Sequence, residues 1–208
     1  MKIKIAVFFF VSLFILEGGT VSAQNWDINL LKSINADRNK QLDPFFNTIS
    51  NSVLPITIIT PASLLLHGLI TKDSLTLKNG VMVGASIVVG IAFTQGLKYS
   101  INRTRPYLEY PLLLDPAVTE SSPSFPSSHT STAFSVATSV SLCYPKWYIV
   151  APMYLWAGTV GYSRMHLGVH YPSDVFMGAI IGSGCAYLTY KANKWIRHRC
   201  SKSKFRKQ

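Results

Sequence analysis

From residue 52 onward the chain alternates apolar stretches with short polar segments. Five stretches, 52–70, 80–97, 130–144, 147–162 and 175–190, each predict a helix crossing a bilayer. Several are shorter than the ~20 residues an isolated span needs. The third carries Ser131, Thr132, Ser135, Thr138, Ser139 and Ser141, and the fifth carries Gly178, Gly182 and Gly184. Small and hydroxyl residues suit close packing of helix on helix inside a bundle. Ahead of these, Trp26, Leu30, Leu31 and Ile34, then Leu42, Phe45, Phe46 and Ile49, recur at helical spacing among polar residues. They predict two short amphipathic helices at the membrane surface.

The first residues follow a different pattern. Lys2 and Lys4 precede an apolar run over 5–16, and Val21-Ser22-Ala23 offers small residues for cleavage. This is the layout of a secretory signal peptide. A helix of that run would rise about 18 Å, short of the ~30 Å hydrocarbon core. The expected organisation is a signal peptide over 1–23, a membrane domain over 24–190 and a basic tail over 191–208. The fold class is all-α: a polytopic bundle of about five spans.

Charge refines this picture. Only 14% of residues are charged and 48% are hydrophobic, which suits a bilayer. The net charge of +11, from 20 Lys and Arg against 9 Asp and Glu, is divided by apolar runs. A nucleic-acid partner needs such charge gathered into one patch, so none is expected. With the mature N-terminus outside, five spans put the tail in the cytoplasm. Lys72, Lys78, Lys146 and eight tail residues then lie inside. Seven lie outside: Lys32, Arg38, Lys40, Lys98, Arg103, Arg105 and Arg164. The excess inside agrees with the positive-inside rule. Cys143, Cys185 and Cys200 have no paired or metal-type spacing and are expected to be free thiols.

The same topology puts three polar segments, 98–106, 124–129 and 163–174, on the external side. They hold nearly all the ionisable chemistry. Lys98, Arg105 and Arg164 would bring three cations together where spans end. A guanidinium fork matches phosphate oxygens, and the helix start at Pro126-Ser127-Ser128-His129 would turn free N–H groups toward an anion. A neutral imidazole can accept a phosphoryl group, while a second, protonated one can donate to the leaving oxygen. Asp174, four residues after His170, can fix a tautomer and stabilise positive charge. Duller readings stay open. Lys98 and Arg164 also suit snorkelling anchors at span ends, and His166, His170 and Asp174 have the spacing of metal ligands, although the cations around them oppose a metal. Arg103 and His166 have no role that the sequence reveals.

These segments resemble the signature of the type-2 phosphatidic-acid phosphatase superfamily, which also holds vanadium haloperoxidases and glucose-6-phosphatases. The matching residues are Lys98-x6-Arg105-Pro106, Pro126-Ser127-Ser128-His129 and Ser163-Arg164-x5-His170-x3-Asp174. Ser128 stands where the family pattern has glycine. The resemblance implies that His170 is the nucleophile, Asp174 its partner and His129 the general acid. Lys98, Arg105, Ser127, Ser128 and Arg164 would bind phosphate, with no metal and no cofactor. It further implies an α-helical bundle in the membrane acting on a lipid phosphate. The secretory signal and small size are similar to bacterial members, including lipid A phosphatases. The expected location is therefore the inner membrane, with the active site facing the periplasm. A lipid phosphotransferase on the same scaffold and a non-enzymatic membrane anion-binding protein are the rival readings.

Overall fold

The computed structural model describes residues 20–205, with side chains from Trp26 to Arg197. The expected signal peptide lies outside the described residues except for its last four positions, which open the first helix. Every regular element among the described residues is helical. Helix α1 spans Thr20–Asn35, and a 3-10 turn, Lys40–Leu42, leads into α2, Asp43–Asn51. Then follow α3 (Val53–Ile70), α4 (Ser74–Ile101), the single turn α5 (Pro106–Glu109), α6 (Ser128–Cys143), α7 (Trp147–His166) and α8 (Pro172–Phe205).

Local chemistry sets the boundaries. Asp73 caps α4, its carboxylate accepting from the Leu75 N–H at 2.9 Å. Asn102 closes that helix in the left-handed conformation, φ +50°, which asparagine tolerates better than most residues. Proline opens both α5 and α8, where the missing N–H is harmless. All five apolar stretches are helical, and α1 and α2 correspond to the two amphipathic pieces. Helix α8 continues past residue 190 into the basic tail, to Phe205.

Helix α6 is the axis of the bundle. Its Val136 and Val140 pack with Met82, Val83 and Ile87 of α4, and its Ala133 and Ala137 with Ala157 and Val160 of α7 and Val53 of α3. The hydroxyls along α6 bond across to its neighbours: Thr94 to Ser131 at 2.7 Å, Ser135 to the Ser86 carbonyl at 3.2 Å, Thr138 to Ser183 at 3.1 Å. Glycines of α8 allow the closest approach; at Gly178 and Gly182 any Cβ would run into backbone atoms of Ser127 and Ser131.

The exterior is the reverse of a soluble protein's. Leu54, Ile58 and Ile70 of α3, Val81 and Val88 of α4, Leu155 of α7, and Phe176 and Leu188 of α8 all face outward. Two stretches among the described residues, Lys40–Ile70 and Ser74–Glu109, are long and apolar enough to cross a membrane. The buried charged side chains and histidines gather instead at one end of the bundle, where α4, α7 and the loop before α6 end and α6 and α8 begin.

Candidate active site

The three polar segments meet there. Lys98 is carried by the last turn of α4 and is buried, its ammonium donating to the Pro123 carbonyl at 2.6 Å. Arg105, buried just ahead of α5, donates to the carbonyls of Ser122 at 2.7 Å and Val169 at 2.8 Å. Arg164, buried in the last turn of α7, donates to the Ser50 hydroxyl. His170 lies in the loop between α7 and α8, fully buried. Its Nδ1 is 3.4 Å from Asp174 Oδ2, and its Nε2 is 3.4 Å from Arg105 Nη1. His129 sits in the first turn of α6 and lines a groove of about 460 Å³ with Ser128, Thr132, Leu54, Thr57 and Ile91.

The sequence model of the PAP2 superfamily matches residues 79–198, which contain every one of these positions except Ser50 and the groove residues of α3. The chain belongs to this superfamily. An undecaprenyl-diphosphatase of Sulfolobus acidocaldarius is 29% identical over 189 residues, covering 90% of this chain and 88% of that protein. A lipid A 4'-phosphatase of Bacteroides thetaiotaomicron is 39% identical over 66 residues, 32% of this chain and 29% of its own length. The crystal structure of Aquifex aeolicus LpxE superposes with a TM-score of 0.66 at 30% identity, covering 80% of this chain and 95% of that one. A PAP2-type phosphatidylglycerolphosphate phosphatase from Bacillus subtilis has the same fold, with TM-score 0.72, 24% identity, and 94% and 98% of the two chains covered.

Within the PAP2 signature the electrostatics divide the two histidines from an ordinary imidazole. Burial, with the charges of Arg164 and Arg105, pushes His170 down to about 4 against the pull of Asp174. Burial and Arg164 push His129 down to about 3. Both rings are therefore neutral near pH 7 when the site is empty. Asp174 stays ionised: burial raises its pKa, but the bond and charge of His170, then Arg103 and Ser124, outweigh that and hold it low. With Asp174 accepting at Nδ1, the His170 lone pair is on Nε2, directed at the arginine cluster.

Two polar atoms in this cluster lack a partner although buried: Ser128 Oγ and Arg164 Nε. Buried polar groups are nearly always paired, so these orphans suit an incoming acceptor. Ser127 is held at the start of α6. Its hydroxyl caps α6 by accepting from Thr130, and its N–H donates to the Asp174 carbonyl at 3.1 Å. Ser128 and His129, the next residues of α6, have N–H groups with no partner within the helix.

Four further residues, Glu120, Ser124, Arg103 and Asp27, were given no role by the sequence analysis. Glu120 bridges Arg105, at 2.6 Å, and Arg164. Burial alone would raise its pKa, yet Arg164 and Arg105 take it down to about 2. Ser124 donates to Asp174 Oδ2 at 2.5 Å. Arg103 pairs with Asp174 Oδ1 at 2.8 Å and with Asp27 of α1 at 2.9 Å. None lies at a signature spacing, so no sequence signal singled them out. His166 belongs elsewhere: its Nε2 is 2.9 Å from Asp43 and its ring packs on Phe46, away from His170 and Asp174. The spacing that suggested three metal ligands on one face is thus divided between two clusters. Cys143 and Cys185 are free thiols.

Proposed function

We propose that this protein hydrolyses the phosphate monoester or diphosphate of a membrane lipid at the extracytoplasmic face, through a covalent phosphohistidine. Phosphatase chemistry on lipid substrates is what the superfamily and the named activities of the relatives support. The observation that carries the finer reading is His170 itself, with Asp174 at one ring nitrogen and an arginine at the other.

The reaction runs in two balanced steps. A lipid phosphate takes the place of Glu120 between Arg105 and Arg164, with Lys98, Ser128 Oγ and the first N–H groups of α6 completing the cradle. Its negative charge raises the proton affinity of His129, so that ring takes up a proton as substrate binds. Nε2 of His170 then forms a bond to phosphorus as the bond to the lipid oxygen breaks, and His129 gives its proton to that oxygen. Asp174 stabilises the charge left on His170. In the second step water attacks phosphorus, its proton goes to His129, and the N–P bond breaks to release phosphate. The apolar groove beside His129 would hold the first carbons of the lipid. A purely anion-binding protein would need the cations, but not a buried His–Asp pair beside them.

The five helices are read as five spans, with the polar end of the bundle outside. The excess of basic residues at the opposite end supports that orientation. The active site would then face the periplasm of a bacterial inner membrane, with the signal peptide removed.

The decisive experiment compares leaving groups. His170→Ala should abolish turnover on every substrate. General-acid help is typically worth about 10²–10⁴-fold, and a nitrophenolate scarcely needs it. His129→Ala should therefore lose roughly that factor on a lipid monophosphate, yet far less on p-nitrophenyl phosphate. Equal losses for both variants on both substrates would refute the assignment.

A further inference from the structure

Asp174 uses both of its oxygens. Oδ2 accepts from Ser124 at 2.5 Å and the Tyr171 N–H at 3.0 Å, and meets His170 Nδ1. Oδ1 is left to one partner, Arg103 Nη1, at 2.8 Å. The Arg103 guanidinium lies 3.8 Å above the centre of the Tyr171 ring, and its Nη1 also donates to the Ser173 hydroxyl at 2.7 Å. Its other terminal nitrogen bonds Asp27, a buried carboxylate on α1. Asp27 in turn accepts from the Ser173 N–H, at 2.9 Å, and from the Ser173 hydroxyl, fastening α1 to the start of α8. Asp27 is 147 residues before Asp174 in sequence and precedes the segment matched by the family.

We propose that Arg103, braced by Asp27, is a positioning residue that aims the Asp174 carboxylate and sets how strongly it favours a proton on His170. This rests on the reading of His170 as nucleophile. Arg103 offsets part of the Asp174 charge, and Asp27 offsets part of the Arg103 charge. The two residues therefore act on His170 with opposite sign. The other charged and titratable groups facing His170 are Arg105, Arg164, Glu120 and His129, and Lys98 also acts on Asp174. All of these are unchanged by substitutions at Arg103 and Asp27.

The test is the pH profile of kcat/KM on p-nitrophenyl phosphate, corrected for the titration of the substrate, for purified protein in detergent. Arg103→Gln leaves Asp174 less opposed, so the imidazolium gains and the acidic limb moves up by about one pH unit. Its kcat falls by about tenfold, as for a partner one shell out from the reacting group, with KM little changed. Asp27→Asn strengthens the hold of Arg103 on Asp174 and moves the limb down. Arg103→Lys keeps the charge but cannot span both carboxylates; its limb stays near that of the parent while kcat drops. A limb that stays put in Arg103→Gln, or moves the same way in Arg103→Gln and Asp27→Asn, overturns the proposal, whatever happens to thermal stability. His170→Ala measured alongside distinguishes the two failures, since activity in that variant would overturn the nucleophile reading itself.

Discussion

A methyl group at Gly182 should separate the two helices that carry the site. A Cβ there would stand 2.0 Å from the Ser131 carbonyl oxygen, 2.8 Å from its carbon and 3.0 Å from the Ser135 nitrogen. All three are backbone atoms of α6, so no side chain can turn aside. Ordinary contact begins near 3.4 Å, so α6 and α8 must part by more than about 1 Å. Overpacking of this kind typically costs about 1–3 kcal/mol. The same displacement strains the bond from the Ser127 N–H to the Asp174 carbonyl and widens the gap between His129 and His170. Misplacement by about 1 Å can cost roughly 100-fold in rate. Gly184, two residues further on and on the opposite face of the same helix, is the control, because a Cβ there meets nothing within 4 Å. There alanine should be neutral or stabilising by up to about 1 kcal/mol. Thermal unfolding in detergent and kcat on p-nitrophenyl phosphate measure both effects. If Gly182→Ala unfolds and turns over as Gly184→Ala does, the close packing of α6 on α8 does not govern the site.

With His170 held near 4, the free-enzyme acidic limb in kcat/KM should lie near pH 4; a limb at the ordinary 6.5 would contradict the burial argument. For stability the sign follows from the same shift. The unfolded chain takes up this proton near 6.5 and the folded chain only near 4, so stability falls as pH drops through that window, and thermal melts at pH 7 and 5 should show the loss shrinking in His170→Gln. Activity should survive a strong chelator and be inhibited by vanadate, since the cations already supply the charge a metal would bring; loss in chelator that zinc restores would sink this. A reporter fused after Gln208 should be active only when it works in the cytoplasm, and activity confined to the outside would reverse the topology.

The helices were legible because a bilayer demands long apolar runs, and each of the five runs became a helix. Their ends were less so: α8 continues into the basic tail because nothing in Lys191–Arg197 breaks a helix. The residues His129, His170, Asp174, Lys98, Arg105 and Arg164 were found by spacing, and they do converge. Glu120, Arg103 and Asp27 were not. Their importance lies in partners 44, 71 and 146 residues away, a relation that hydropathy and local motifs do not encode. Ser127 shows the opposite limit. Its position matches the signature, and its hydroxyl oxygen accepts from Thr130 at the helix start, while the neighbouring Ser128 holds the orphaned oxygen.

In the proposed reaction the carboxylate of Glu120, paired with Arg105 and Arg164, makes substrate binding an exchange of anions. Tethered to its own loop, it is a competitor that never dilutes, with an effective concentration set by the chain instead of the solution. A lipid phosphate anchored in the bilayer is likewise concentrated at the membrane and can displace it. Free phosphate, once cut from its lipid, has lost that advantage and faces the returning carboxylate alone. The empty site thus favours ejection of its product over retention, and because one anion replaces another, the attraction felt from a distance is small. Binding should accordingly depend less on ionic strength than three buried cations would suggest, and Glu120→Gln should bind inorganic phosphate more tightly, steepen that dependence and release its product more slowly.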